Sequence, residues 1–592
     1  MKSCILSITA SGHGFCGAIC IDGKMAVATS MERLTRKKYD LLLPISRTDL
    51  KDFGWKGDPK QYVENTTLPF DLDNDYSSVD FNKLPNFQML LKYLLDEAKI
   101  SLKDVTHVAY SYRHLESVRK YFKEHAPNAE FIVPEHHFAH ACQAFLPSPF
   151  EEAAIMVLDG QGVPMKRTGG DQLSGCLAHG KGNSITVLEE FPVSCSLGGM
   201  YAEITRLCGF GTNDDGKTMG LSPYGDAEYY NQYKDKVKYN VRKYDFRNLK
   251  KILQNKGKPQ EYTYHLGRYG KFLSQFKPRT RKGEFTNQYK NLAYLGQKIV
   301  EDVMIFLART LRERTGAKNL CIAGGVGLNC VANYKVFEKA GYKDIFIYPN
   351  AGDNGLVTGQ ALYVYSILQG KKRVYTAKHD YLGKNYSRDE IDSAVSRYVA
   401  DGKLKATRFD TNEELCEKMA DFIVAGKITS WWQGRSEFGP RSLGNRAIIV
   451  DPRKAEMKDI LNSRVKFRES YRPFTPSVLR ERAAEFFTLD GIESPFMLLA
   501  PYVKEGKAQL VPAITHVDNT ARVQTVTKET NAPYYNLIKA FEKRTGIPLV
   551  LNTSFNVAGE PIVESPEDAI RCYMSTDIDV LGIDNYLLEK KV

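Results

Sequence analysis

The segment Cys4-Ile5-Leu6-Ser7-Ile8-Thr9-Ala10, Ser11-Gly12-His13-Gly14, Phe15-Cys16-Gly17-Ala18-Ile19-Cys20-Ile21, Asp22-Gly23-Lys24, Met25-Ala26-Val27-Ala28-Thr29 decides how the fold is read. Short apolar runs, each closed by a turn rich in glycine, predict three strands, with Asp22-Gly23 as a hairpin. The pattern returns later in the chain: residues 153–158 are apolar, Asp159-Gly160-Gln161-Gly162 turn, 174–178 continue, 180–183 turn, and 185–191 complete a third strand. Strand, glycine turn, strand, hairpin and strand, met twice, predict an internal duplication. Periodicity alone leaves two unrelated meanders open.

The doubled layout resembles the actin-like ATPase fold, in which two related α/β halves clasp a nucleotide between their glycine turns. Helices lie between the strands. Residues 288–314 place Leu292, Leu295, Ile299, Val303, Phe306 and Leu307 at helical spacing, with Gly316 as a stop. A strand at 319–323 then runs into Gly324-Gly325-Val326-Gly327-Leu328-Asn329, a turn where backbone amides can approach a phosphate. Residues 225–290 are rich in Lys, Tyr, Gln and Asn and read as an insertion. A polar boundary near 375–390 divides the chain into an expected domain at 1–380 and a second at 381–592.

Bulk composition narrows the function classes. A chain of 592 residues exceeds one hydrophobic core. With 43% hydrophobic and 26% charged residues it is an ordinary globular sequence, and no apolar run approaches a membrane span. Met1-Lys2-Ser3-Cys4-Ile5-Leu6 reads as a buried strand rather than a signal peptide, so a cytoplasmic location is expected and no membrane partner. The 11 cysteines form no Cys-x-x-Cys pair, which argues against a disulfide framework or zinc ribbon. The net charge of +12 suits an enzyme handling several phosphates as well as it suits nucleic acid. Because the cations are spread out, no nucleic-acid partner is expected.

Glu135-His136-His137-Phe138-Ala139-His140 follows Pro134 and opens an apolar run, which predicts a helix start. His136 and His140 then share a face, as two imidazoles on one metal ion must. Asp159 and Asp353, each an acid beside glycine after an apolar run, could complete the site. Such nitrogen and carboxylate ligands suit iron, manganese or zinc. Structural, hydrogen-bonded histidines would give the same spacing.

A second constellation lies towards the C-terminus. Arg435, Arg441, Arg446 and Arg453 punctuate the glycine-containing loop around 434–446, and Arg472 lies in Tyr471-Arg472-Pro473-Phe474. Arg464, Lys466 and Arg468 alternate, so on a strand the three cations would share one face. Arg522 adds a further inward cation, and a buried strand at 549–551 ends in Asn552-Thr553-Ser554-Phe555-Asn556-Val557-Ala558-Gly559. A solvated basic edge would read the same, but the apolar residues interleaved here favour a phosphate-bearing ligand.

Together these segments, with Asp215-Gly216-Lys217-Thr218-Met219-Gly220-Leu221-Ser222-Pro223-Tyr224-Gly225, resemble the NodU/CmcH family of O-carbamoyltransferases over nearly the whole chain. The resemblance implies an α/β fold: a duplicated actin-like N-terminal domain, similar to tRNA threonylcarbamoyl-transferring enzymes, and an α+β C-terminal domain similar to YrdC. Lys466-Phe467-Arg468 and Ser554-Phe555-Asn556 resemble YrdC's Lys-x-Arg and Ser-x-Asn elements. It implies that carbamoyl phosphate and ATP, with Mg2+, give carbamoyl adenylate in the C-terminal domain, with Lys466 and Arg468 catalytic. Arg441, Arg472, Arg522, Asn552, Ser554 and Asn556 would bind the reactants. The N-terminal domain would pass the carbamoyl group to a hydroxyl of a small natural product of sugar, antibiotic or toxin class. There His136, His140, Asp159 and Asp353 would hold a divalent metal, Fe2+ by family analogy. Gly324, Gly325, Asn329 and Lys217 would contact the adenylate, Lys38 (with Arg33 and Arg36) the acceptor, and His13 is a candidate general base. The turn around His13 lacks the family's usual His-Asp-x-Ser-Ala-like sequence, and Ser222 and Ser442 replace alanine, which bears on the acceptor pocket. A homodimer is compatible with this reading. Two alternatives stay open: a tRNA-modifying enzyme of the threonylcarbamoyladenosine type, and a non-catalytic nucleotide-binding actin-like regulator.

Overall fold

The apolar runs at the start of the chain form β1 (Cys4–Ser11), β2 (Gly14–Ile21) and β3 (Lys24–Ser30). Nearly every side chain of β1 and β2 is buried, so these strands read as continuous apolar runs rather than alternating ones. The computed structural model describes residues 2–11, 14–40, 80–112, 115–162, 172–211, 213–232, 273, 275–280 and 283–591. His13 and most of the expected 225–290 insertion lie outside the described residues.

β1 pairs antiparallel with β2 and parallel with β4 (His107–Tyr112), and β5 (Glu130–Ile132) extends the sheet, giving the order β3-β2-β1-β4-β5. The second lobe repeats this. β6 (Glu152–Leu158) pairs antiparallel with β7 (Leu173–Lys181) and parallel with β9 (Asn319–Ala323). β8 (Ser184–Pro192) and β10 (Asp344–Ile347) take the two edges. Two sheets of the same order and pairing sense are the expected duplication, and the N-terminal part has the actin-like α/β layout.

In the first lobe the Pro85–Ala98 helix buries Phe87, Leu90, Leu91 and Leu94 against the sheet. On the other face the Leu356–Leu362 helix brings Gln360, whose Oε1 accepts from Ser7 Oγ at 2.9 Å and whose amide nitrogen donates to Thr9 and Ser111. These bonds satisfy the buried hydroxyls of β1 and β4, which would otherwise be costly. In the second lobe the Asn287–Thr315 helix covers the predicted span and ends at Gly316, φ +67°.

The C-terminal part is α+β, with an eight-stranded mixed sheet of order β11-β18-β17-β12-β13-β16-β14-β15. The strands are β11 (Leu404–Arg408), β12 (Thr429–Trp432), β13 (Arg446–Val450), β14 (Thr475–Leu479), β15 (Gln524–Val526), β16 (Leu549–Ser554), β17 (Val580–Ile583) and β18 (Tyr586–Lys590). The Asn412–Val424 and Ala532–Thr545 helices pack on each other, started by the side chains of Thr411 and Asn531.

The alternating cations at 464–468 do not form a strand. The Met457–Leu461 helix runs on as a π-helical turn, Asn462–Lys466, closed by Phe467. Met457, Leu461 and Val465 stand four apart and are all buried, so the apolar helical spacing prevails over the alternation of charge. The cations therefore diverge: Arg464 donates to the Asp577 carbonyl at 2.6 Å, whereas Lys466 turns inwards.

Packing divides the chain into two compact units. One comprises Met1–Pro134, Asp353–Met497 and Pro501–Val592; the other comprises Glu135–Gly352 and Leu498–Ala500.

Candidate functional site

Within the unit of Glu135–Gly352, the histidine segment is a helix, His136–Phe145, as its sequence predicts. Glu135 caps it by accepting from the amides of His137 at 3.0 Å and Phe138 at 2.7 Å. Burial would push the Glu135 carboxyl up, but those amides and the His137 ring hold it down at about 2. The capped start fixes the rotation of the helix and so aims its ring face at the end of β6.

Asp159 sits at that end. Its Oδ2 lies 3.1 Å from His136 Nε2 and 3.7 Å from His140 Nε2, and its Oδ1 accepts from the Gly325 amide at 3.0 Å. One ligand atom each of His136, His140 and Asp159 lies within 4.8 Å of the others, and all three residues are buried. Burial alone would raise the Asp159 carboxyl, but the two imidazoles keep it well below the usual carboxylate range.

Gln143 decides what this cluster can hold. Its amide nitrogen donates to the carbonyls of Asn350 and Gly352, so its Oε1 must accept the 2.7 Å bond from His140 Nδ1. In the neutral ring His140 then carries its proton on Nδ1 and directs the Nε2 lone pair at a carboxylate oxygen. Two lone pairs facing each other in a buried site call for a proton or a metal ion between them, and the donor set of two imidazoles and a carboxylate fits a divalent metal. Gln143 was not expected from the sequence, although its place three residues after His140 on one helix is a usable signal. Gly162 was also missed: a Cβ there would meet the His137 and His136 rings at 2.5 and 2.8 Å. Asp353, the expected fourth ligand, is buried and opens the second stretch of the other unit.

The glycine turn has a role beside the cluster. Gly324 adopts φ +88°, and a Cβ there would meet the Leu158 carbonyl at 2.1 Å, so only glycine lets the turn close on β6. Asn329 caps the following helix at the Ala332 amide, 3.0 Å, and bonds Gln297 at 2.9 Å. Lys217 lies 2.9 Å from Asp214.

In the other unit the C-terminal cations converge at the end of β16. Lys466 is 5% exposed, and its ammonium donates to the Ser554 carbonyl, to Asn556 Oδ1 at 2.9 Å and to the Asn556 carbonyl at 3.0 Å. All of these acceptors are uncharged oxygens. Burial first, and then Arg468, Arg472 and Lys38, drive the Lys466 ammonium well below its ordinary value, while Cys572 acts the other way. Arg468 lies 4.2 Å over the Phe474 ring and is pulled down to about 9 by burial and by Arg472 and Arg522. Arg522 donates to Thr475 Oγ1 at 2.9 Å. Lys466, Arg468, Arg472 and Arg522 thus form one mutually repelling group, joined to Ser554 and Asn556, whose side chains bond at 2.7 Å.

Other expected residues have different places. Asn552 is fully buried and bonds Ser442 and Ser477 inside the sheet. Arg446 is buried over Trp432 and donates to the carbonyls of Gln433, Gly434 and Glu564. Arg435 is likewise spent on the carbonyls of Gly383 and Leu382, and Arg453 on Asp451. Glu437 shapes the loop instead, accepting from the amides of Leu443, Asn445 and Arg446 at 2.7, 2.9 and 3.3 Å. Arg441 belongs to that loop. Arg33 and Arg36, expected near an acceptor, donate to backbone carbonyls at Gly439 and at Pro561 and Ile562. Lys38 is exposed, and its charge bears on Lys466.

A duplicated actin-like α/β part with a buried His-His-Asp cluster, followed by a cation-rich α+β part, defines a two-part class of protein. Residues 5–362 match the family model described as carbamoyltransferase N-terminus, and residues 420–590 match that described as carbamoyltransferase C-terminus. The chain belongs to the carbamoyltransferase family. It is 40% identical to nodulation protein NolO of Bradyrhizobium diazoefficiens over 77% of this chain and 79% of that protein. An uncharacterised Synechocystis protein is 36% identical over 99% of this chain and 96% of its own length. The 3'-hydroxymethylcephem-O-carbamoyltransferase of Streptomyces clavuligerus is 30% identical over 47% of this chain and 50% of that enzyme. Full-length HypF, solved in a phosphate- and nucleotide-bound form, aligns at a TM-score of 0.31 and 14% identity over 62% of this chain and 47% of that one. No helix among the described residues is long and apolar enough to cross a membrane.

Proposed function

We propose that the protein is an ATP-dependent O-carbamoyltransferase that forms carbamoyl adenylate and passes its carbamoyl group to a hydroxyl of a small molecule. The observation that carries this reading is the buried Lys466 ammonium, bonded only to uncharged oxygens and pressed by Arg468 and Arg472. Such a cluster is costly without an anion, and carbamoyl phosphate with ATP would supply several negative charges.

In the domain at 381–592, water opens carbamoyl phosphate to carbamate and phosphate. A carbamate oxygen then attacks the α-phosphorus of ATP, and pyrophosphate leaves. Lys466 and Arg468 neutralise the charge that develops on the transferred and departing phosphates; Arg441, Arg472 and Arg522 hold the reactants, and Asn552, Ser554 and Asn556 fix the end of β16. Mg2+ accompanies the nucleotide.

In the domain at 1–380, the acceptor oxygen attacks the carbamoyl carbon and AMP departs. His13 would take the hydroxyl proton, Gly324, Gly325, Asn329 and Lys217 would contact the adenylate, and Lys38 the acceptor. His136, His140, Asp159 and Asp353 would hold a divalent metal, iron by analogy, which supplies Lewis acidity at the carbamoyl oxygen when bound. The cephem enzyme among its relatives supports a small-molecule hydroxyl as the acceptor. A cytoplasmic site of action fits ATP and carbamoyl phosphate as co-substrates.

The test is pyrophosphate release from ATP with and without carbamoyl phosphate, for wild type and Lys466→Ala. Carbamoyl-phosphate-dependent release that Lys466→Ala abolishes supports the reading. Release that ignores carbamoyl phosphate sinks it.

A further inference from the structure

Phe467 stands between Lys466 and Arg468 at the end of the π-helical turn, and two properties set it apart. Its backbone is left-handed, φ +44°, a conformation at helix ends that favours glycine or asparagine over a bulky side chain. Its side chain is 68% exposed, the most exposed of the large hydrophobic residues described. The neighbouring aromatic Phe474 is the reverse, 2% exposed beneath the Arg468 guanidinium. Folding therefore gains little from an aromatic ring at 467 and bears a backbone penalty for it. Glycine or asparagine would close the turn at lower cost.

What the ring adds is an exposed flat apolar face on the residue between two members of a cation cluster. Lys466 lies on one side in sequence and Arg468 on the other, with Arg472 and Arg522 within electrostatic reach. A ligand that satisfies both the cations and the ring has an anionic chain joined to a planar base. That is the form of a nucleoside triphosphate, and base–aromatic stacking tolerates any orientation that keeps the rings parallel. Carbamoyl phosphate has no such face and gains nothing from the ring.

We propose that Phe467 is the stacking platform for the adenine base of ATP in the C-terminal part, a specificity-determining residue that separates nucleotide affinity from carbamoyl phosphate affinity. This rests on the reading that the Lys466 cluster takes ATP. The residue is already 68% exposed without a ligand, so the platform exists before the nucleotide arrives.

The experiment uses the full-length chain as Phe467→Trp, Phe467→Ala and wild type. Each ligand-induced change in the emission of Phe467→Trp is read against the same change in wild type, which carries the native Trp55, Trp431 and Trp432, so the difference reports the tryptophan at 467. Expected are quenching by ATP and AMP but not by inorganic tripolyphosphate, and an ATP KM in Phe467→Ala raised by about 10-fold or more. The carbamoyl phosphate KM should stay roughly unchanged, and Phe467→Trp should keep the wild-type ATP KM. An unchanged ATP KM in Phe467→Ala, with Lys466-dependent pyrophosphate release intact, overturns the platform and leaves the adenylation reading standing. A wild-type protein that binds no ATP overturns both. A changed oligomeric state in Phe467→Ala with no change in ATP KM would assign the ring to a protein contact and overturn the proposal.

Discussion

Arg36 donates at 2.6 Å to the carbonyl of Ile562, a residue 526 positions further along the chain. It also donates to the Pro561 carbonyl at 2.7 Å and stands 3.6 Å from Asp568. Glu560, one residue before this pair, accepts from Asn556 at 2.6 Å, and Asn556 accepts from Lys466. The first lobe thus braces the loop that positions the candidate adenylation residues. Replacing Arg36 with Met keeps the length of the side chain but leaves two carbonyls without their donor and removes one of the two cations beside Asp568, which keeps Arg571 and the Ser565 amide. The expected cost is about 2–4 kcal/mol of unfolding free energy, with partial recovery in Arg36→Lys. Urea denaturation midpoints test this, and a cost below about 0.5 kcal/mol would show that water replaces the brace.

Gly324 and Gly316 make a matched pair. Both have positive φ, +88° and +67°, but a Cβ at Gly324 meets the Leu158 carbonyl at 2.1 Å, whereas one at Gly316 meets nothing within 4 Å. Gly316→Ala should cost about 1–2 kcal/mol from backbone strain alone. Gly324→Ala adds a collision that backbone cannot relieve, and should cost at least about 3 kcal/mol. Equal melting temperatures for the two variants would contradict the close approach of the turn to β6.

Lys466 predicts a proton uptake on ligand binding. Burial and then Arg468 hold its folded pKa below the unfolded value of about 10.4. Below the folded pKa both states carry the proton and the cost of burying the charge is felt in full. As the pH rises through the folded pKa, the folded chain sheds its proton first, so stability grows with pH up to the unfolded value and no further. A bound polyphosphate favours the ammonium, raises its pKa and draws a proton from solvent within that window. Titration calorimetry of ATP over a series of pH values below about 10.4, in pairs of buffers of different ionisation enthalpy, should report an uptake that Lys466→Met removes. The same uptake in Lys466→Met would assign the proton to another group.

The parts of the fold legible in the sequence share one cause. Residues of β1, β2, β6 and β9 are buried on both faces, so their apolar runs stand out, and the glycine turns that close them mark their ends. The His136–Phe145 helix was legible because Pro134 and Glu135 mark its start. The segment at 464–468 misled because charge alternates there while Met457, Leu461 and Val465 keep helical spacing, and burial follows the apolar residues. Arg36, Gln360 and Arg446 were illegible as structural residues because their partners are backbone carbonyls or hydroxyls, many of them far away in sequence. A cation carries no local mark that tells whether a carbonyl or a phosphate will take its protons.

Gln143 offers the sharpest test of the histidine cluster. It holds His140 Nδ1 at 2.7 Å while its amide is anchored on the carbonyls of Asn350 and Gly352, so it fixes both the ring's tautomer and its direction. Anaerobic incubation with Fe2+, Mn2+ or Zn2+, followed by gel filtration and elemental analysis, should leave about one ion per chain for the preferred metal. His140→Ala should retain none. Gln143→Ala keeps both imidazoles but frees the His140 ring, and should weaken binding by about 10–100-fold. Gln143→Glu distinguishes orientation from packing: it keeps an acceptor for Nδ1 but turns a carboxylate on two carbonyls, so its melting temperature should fall before its metal content does. Wild-type protein that retains no metal under any of these conditions would leave the three residues as a buried hydrogen-bonded group, with a proton between His136 and Asp159 instead of an ion.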